Sequence, residues 1–268
     1  MQTRNLNLFF FVSLIIAFTA CGEKTNDKPI VKIFPENKEI DAFAGEKTVF
    51  NIQVFSDFKL TQLIVTQKFS GGQETVIFDT TPGVLNFNMQ WAFFAPSEIE
   101  EDLYLYFKAI NENGFQTTIG RKLIFKGKRL QEFTGLKLNS ANSGNPAAFN
   151  FSTLQQVAAS ADSMLRDIQE YQSDTASTAL AKKWVSPSNC QFVKFNSFDY
   201  SNASGTTARD AYNAGIKLTE IANIEINDIY IVKLLRLAPD DVYTVVKITN
   251  IIDAEGKAND FYEFAVKK

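Results

Sequence analysis

The sequence predicts a mainly β chain in two domains. An antiparallel β-sandwich is expected over residues 30–127, then an α+β domain over 128–268 ending in an antiparallel meander. Three observations carry this expectation. Apolar and polar residues alternate through most of 30–127, the two-residue rhythm of a half-buried strand. Turn-forming steps interrupt that rhythm about every ten residues, as in a sandwich. A helical period is found only beyond residue 150.

Before the first strand lies a leader. Arg4 is the only charge ahead of Glu23, and residues 8–20 read LFFFVSLIIAFTA. A membrane-spanning helix needs about 20 apolar residues, so this shorter stretch reads as a secretory signal over 1–20. Its end, Phe18-Thr19-Ala20-Cys21-Gly22, resembles the lipobox of bacterial lipoproteins, with Phe18 where leucine is usual. That resemblance implies cleavage before Cys21, lipidation of Cys21, and a chain held on a bilayer by its acyl groups. Residues 21–29 are then a lipidated cysteine and polar tether, closed by Pro29.

The clearest strand sets Leu85, Phe87, Met89, Trp91 and Phe93 on one face and Asn86, Asn88, Gln90 and Ala92 on the other. Phe50, Ile52 and Val54 alternate in the same way, as do Leu103, Leu105, Phe107 and Ala109 beside Tyr104 and Tyr106. Gly71-Gly72 and Thr81-Pro82-Gly83 are turns, and Asn111-Glu112-Asn113-Gly114 is a hairpin loop. The phase of Trp91 puts it in the core, not on a sugar-stacking surface. Thirteen of the 25 phenylalanines lie between Phe34 and Phe125, which indicates a dense core. The stretch from Ala109 to Gly114, A-x-N-x-x-G, resembles the F–G corner of immunoglobulin-like domains. Leu105 stands in place of that family's corner tyrosine, and its paired cysteines are absent. The resemblance implies an immunoglobulin-like sandwich and carries no function.

Lys126-Gly127-Lys128-Arg129 reads as a solvated joint. Beyond it, residues 139–146 form a polar loop and Ala148–Phe151 a short strand. Leu154, Val157, Ala158, Ala161, Leu165 and Ile168 fall on a helical lattice, predicting a helix over 153–162. For 163–172 a strand fits nearly as well as a helix. Ser204 predicts the cap of a second helix over 204–213, with Gly215 as its stop. Residues 228–236, 242–250 and 260–267 alternate as strands, joined by turns at Ala238-Pro239-Asp240-Asp241 and 253–259.

Composition narrows the chemistry. The chain has 268 residues, no histidine and a net charge of −3. No positive field gathers nucleic acid, and the usual general base and histidine-based nucleophile pairs are missing. No dinucleotide fingerprint, phosphate loop or serine elbow is present, so no cofactor, metal or catalytic residue is expected. With Cys21 lipidated, Cys190 lacks a disulfide partner and reads as a small buried residue. Residues 253–259 only loosely match a calcium loop, since Gly256 and Lys257 fall at the wrong places, and an acidic turn is the simpler reading. Asp162, Asp167 and Glu170 would serve a carboxylate hydrolase only if two faced each other across a cleft.

Trp184 and Tyr200 are the candidate ligand-binding residues. Both lie in a stretch of polar turn formers from Trp184 to Thr207, and Trp184 has Lys182-Lys183 and Ser186 beside it. An exposed tryptophan there would stack on a sugar ring; a buried one would pin a loop to the core. The layout of lipid anchor, sandwich and second module resembles surface glycan-binding lipoproteins of Gram-negative bacteria. That resemblance implies an exported, lipid-anchored, non-catalytic binding protein of the cell envelope and outer membrane, with a glycan as ligand. The alternative is a structural component contacting another envelope protein.

Overall fold

The computed structural model describes residues 27–96, 101–234, 242–256 and 258–268. The expected signal segment, Cys21, the expected turn at 238–241 and Lys257 lie outside the described residues. Within them the chain is mostly β, as the alternation predicts, and the strands are almost all antiparallel.

The first half runs β1 (Ile30–Phe34), β2 (Glu39–Ala42), β3 (Lys47–Phe55), β4 (Leu60–Phe69), β5 (Thr75–Thr80), β6 (Asn86–Phe94), β7 (Leu103–Asn111) and β8 (Gln116–Phe125). One sheet has the order β1-β3-β6, the other β2-β8-β7-β4-β5, with β2 parallel to β8. Both sheets turn their apolar faces to one core. Phe50, Ile52 and Val54 of β3 and Leu105, Phe107 and Ala109 of β7 are all fully buried in it. The Trp91 ring stands edge-on to Phe107 at 5.9 Å, half-buried and packed against the core on the face its phase predicts. Gly114 closes the β7–β8 hairpin at φ +79°, a left-handed conformation that glycine adopts without strain.

At that hairpin the buried Asn111 side chain donates to the Asp27 carbonyl at 2.8 Å and accepts from the Phe115 N–H. Thr117 Oγ1 donates to the Pro29 carbonyl at 2.5 Å. The chain therefore enters the sandwich at the start of β8, and β8 leaves toward the second half at its other end. Ten residues of strand at about 3.3 Å each separate the two points by about 30 Å.

The second half comprises β9 (Glu132–Asn139), β10 (Ala148–Asn150), β11 (Gln155–Val157), β12 (Ile168–Glu170), β13 (Lys183–Val185), β14 (Gln191–Lys194), α1 (Gly205–Ala214), β15 (Glu220–Ala222), β16 (Ile229–Lys233), β17 (Tyr243–Ile252) and β18 (Phe261–Lys267). A sheet of order β14-β16-β17-β18-β9 carries the expected C-terminal meander, and a second sheet is ordered β11-β10-β12-β13-β15. Phe149, Phe151, Trp184, Tyr262 and Phe264 fill the space between them. The opposite face of the first sheet packs Ile231 and Val245 against Ala208 and Tyr212 of α1.

Helix α1 begins where Ser204 predicts it. The Ser204 hydroxyl accepts from the Thr207 N–H, and the Thr207 hydroxyl accepts from the Ser204 N–H, a reciprocal cap. Gly215 ends it against Val193: a Cβ there would lie 2.1 Å from Val193 Cγ1.

The helix expected over 153–162 is not formed. The Asn150 carboxamide oxygen accepts from the N–H groups of Ser152 and Thr153, a local turn that competes with helix initiation. Leu154 then takes φ +56°, and Gln155–Val157 pairs with β10 instead. The stripe on which the helix rested has no single buried face: Ala158 and Leu165 are exposed, while Ile168 is buried on β12. Of the two readings for 163–172, the strand is realised over Ile168–Glu170, preceded by a single 3-10 turn at Ser163–Leu165.

Candidate functional site

Trp184 is a core residue and not a ligand platform. It sits on β13 between the two sheets, 1% exposed, with Tyr262 edge-on at 5.2 Å and Phe264 at 5.8 Å. Strand pairing on both sides, with Glu170 and Ile221, fixes the inward direction of its side chain. The adjacent Lys183 points to the opposite face, as strand alternation requires, and pairs with Glu220 at 2.8 Å. Tyr200 is half-buried, its ring between the ammonium groups of Lys267 (4.9 Å) and Lys247 (5.6 Å). Burial, then the neighbouring Glu132 charge, pushes its hydroxyl pKa up.

The buried carboxylates are structural. Asp167 accepts from the Phe151 N–H at 2.7 Å and from the Ser188 hydroxyl at 3.1 Å, with the buried Cys190 thiol 3.4 Å away. Glu170 accepts from the N–H groups of Ala141 and Ala181 and from the Tyr262 hydroxyl, and burial raises its pKa. Asp162 caps the 3-10 turn. Asp167 and Glu170 each tie a loop to the core, while the exposed Asp162 bonds only within its own turn. Among the described residues no three histidine, cysteine or acidic side chains are grouped to hold a metal, and Asp260 accepts from the Ala254 N–H to shape the 253–259 turn.

A cleft of about 480 Å³ opens where the two halves meet. Its first wall is Asp41, Phe43 and Lys126, at the ends of β2 and β8. Its second wall is the loop after β14, bearing Phe195, Ser197 and Asp199, with Asp210 on the outer face of α1. The loop is held by backbone bonds from Phe195 N to Ile229 and from Phe198 N to Phe195. Phe195 is 40% exposed and leans on Phe198 at 6.3 Å.

Arg129 joins the walls. Its guanidinium lies 3.5 Å over the Phe43 ring, pairs with Glu46 at 2.8 Å and donates to Asn202 Oδ1 at 2.5 Å. The expected solvated joint is thus partly a packed one. The Asn202 carboxamide in turn donates to Asp199 at 2.7 Å. Those bonds, with the more distant Arg129 charge, keep the Asp199 carboxyl below its usual range, so it is ionised at neutral pH. Ser204 also donates from its hydroxyl to the Lys126 carbonyl across the junction.

Three carboxylates, Asp41, Asp199 and Asp210, therefore line the cleft with one ammonium, Lys126, which lies 3.4 Å from Asp41, and the neighbouring Arg209 guanidinium lies 3.5 Å from Asp210. Exposed acids and a solvent-facing aromatic suit a neutral polyhydroxylated or cationic ligand; an anion would meet repulsion. Six lining residues, from Phe195 to Thr207, fall in the polar stretch singled out in the sequence. The individual residues were not legible. Phe195 and Asp210 gain their place from a loop and a helix face that only the folded chain brings beside Asp41.

No family model matches the chain, and no curated protein matches it. Among solved structures it is similar to a chain in a structure of T cell activation by the bacterial superantigen toxic shock syndrome toxin-1, at 9% identity and TM-score 0.28. That match covers 36% of this chain and 98% of the other. It is also similar to Spo0M, a sporulation control protein from Bacillus subtilis, at 9% identity and TM-score 0.27, covering 81% of this chain and 78% of that one. Likeness at this level carries no functional argument.

Proposed function

We propose that the chain is an exported, lipid-anchored, non-catalytic binding protein of the bacterial cell envelope, held at the outer membrane through Cys21, and that it captures a neutral glycan in the cleft between its halves. The observation that carries this reading is the exposed Phe195 ring set among Asp199, Asp210 and Asn202. An aromatic face stacks on the apolar face of a sugar ring, and carboxylates and carboxamides accept or donate to its hydroxyls. The ionised state of Asp199 keeps it an acceptor.

The immunoglobulin-like sandwich acts as a spacer. The tether enters it at the Asn111 corner and the cleft lies near the far end of β8, about 30 Å away. The non-catalytic part of the reading is supported by the engagement of Asp167 and Glu170, whose oxygens already accept from loop N–H groups.

The test is a glycan screen on the whole chain, followed by calorimetry on any sugar retained. Phe195→Ala and Asp210→Asn are expected to weaken binding by about tenfold or more each. Asp210→Asn should leave the melting temperature unchanged, and Phe195→Ala, which also loses its packing on Phe198, should lower it by no more than a few degrees. Binding that persists in both variants, or a parent chain that retains no glycan, removes the cleft from this role. Radiolabelled palmitate incorporated by the parent and lost in Cys21→Ser checks the lipid anchor independently.

A further inference from the structure

We infer that β6 is a dimerisation strand: two copies of the chain pair their β6 edges antiparallel, about a twofold axis at Gln90. This inference stands apart from the cleft and would survive its failure.

Strand β6 ends its sheet, hydrogen-bonded to β3 on one side and free on the other among the described residues. A free edge offers a row of N–H and C=O groups to any extended strand, and proteins guard such edges with charge, proline, bulges or brevity. The other sheet ends here are guarded. Strand β1 carries Lys32 and stands between Pro29 and Pro35; β2 carries Glu39 and Asp41; β5 carries Asp79 and faces a bulge at Val65/Thr66. Strand β9 carries Glu132 and Lys137 and meets a bulge, β14 is bridged by Leu218, and β11 and β15 have three residues each. Strand β6 has none of these. Its nine residues, NFNMQWAFF, hold no charge and no proline, and pair with β3 in unbroken register.

The strand can pair with a copy of itself without setting like charges against each other. A twofold at Gln90 sets Gln90 against Gln90, Asn88 against Ala92 and Asn86 against Phe94; the Gln90 amides, each of which also donates to Asn51 at 3.3 Å, can donate and accept across that axis. Exposed apolar groups sit at both ends: Phe94, 69% exposed, at one and Val84, 44% exposed, just before the other. Antiparallel pairing lays Phe94 of one copy diagonally beside Val84 of the second. On the inner face Phe87, Met89 and Trp91 are only half-buried, so the core is open along this edge and a second strand would close it. A closed twofold is also the commonest symmetry of soluble oligomers. The contact is one strand wide, smaller than the usual stable interface, so the dimer is a micromolar one.

The test is sedimentation velocity on the full chain in mild detergent from about 1 to 300 µM, beside Gln90→Lys and Gln90→Glu. Gln90 is exposed, so unchanged melting is the check that both variants fold. The parent is expected to dimerise with rising concentration. Each variant, placing like charges against each other at the axis, is expected to weaken association by about tenfold or more, and an equimolar mixture of the two to restore it. A parent that stays monomeric throughout, a dimer that survives both substitutions, or a mixture that fails to associate overturns the inference.

Discussion

The rings of Trp184 and Tyr262 meet edge-on at 5.2 Å and 83°, and the Tyr262 hydroxyl beyond them donates to Glu170 at 3.1 Å. One contact thus joins the two sheets of the second half and fixes the carboxylate that holds the loops at Ala141 and Ala181. Trp184→Ala is expected to destabilise the chain by about 3–5 kcal/mol, the range for removing a buried aromatic ring. Urea denaturation followed by circular dichroism checks this. A loss under about 1 kcal/mol would mean the site collapses without cost.

Asp228, only 2% exposed, gathers four donors: Lys194 Nζ at 2.8 Å, Asn196 Nδ2 at 2.9 Å, Glu225 N at 2.9 Å and the Tyr230 hydroxyl at 2.7 Å. Burial alone would raise its pKa, but these bonds outweigh burial and hold it below the usual value. A depressed folded pKa gives stability that is complete above the unfolded pKa, about 3.9, and is lost as pH falls through the folded value. Asp228→Asn is expected to cost about 1–3 kcal/mol at neutral pH. The gap between variant and parent should narrow below about pH 4, as read from melting temperature against pH.

Gly215→Ala places a methyl group against Val193 Cγ1. The valine is wedged between sheet and helix and has little room to move, so a loss of about 1–3 kcal/mol is expected. The double variant with Val193→Ala should lose less than the sum of the two single variants, because the smaller side chain leaves room for the methyl. Chemical denaturation of all four proteins completes that cycle.

Arg129→Ala removes the contacts to Phe43, Glu46 and Asn202 together. Exposed ion pairs contribute little to global stability, so melting should fall by only a few degrees. Faster amide exchange is expected at Asn202, whose N–H is bonded to Asp199. Unchanged exchange there would show that Ser204 and the backbone alone hold the junction.

The strands of the first half were legible because their period and their burial agree: Phe50, Ile52 and Val54 alternate in sequence and all face the core. The cap at Ser204 was legible for a local reason, since the groups that satisfy it lie three residues away. The false helix at 153–162 shows the converse. Its apolar lattice was real, but Asn150 diverted the first N–H groups, and pairing with β10 outcompeted the helix. Trp184 failed as a surface candidate because polar neighbours on a three-residue strand say nothing about where the strand lies. The cleft escaped a linear reading because it needs Asp41 and Asp210, far apart in sequence, on facing walls.

The pinning of Asp27 and Pro29 beside the start of β8 sets how this molecule bears load. Strands β1 and β8 run the same way across the sandwich, tied by the Arg121 guanidinium, which donates to the Ile33 and Pro35 carbonyls. A pull between Asp27 and Gly127 drags β1 back and β8 forward, so the ladders resist in shear, with many bonds breaking together. Such a pull would strain the joint at Arg129 before it unzipped the sandwich.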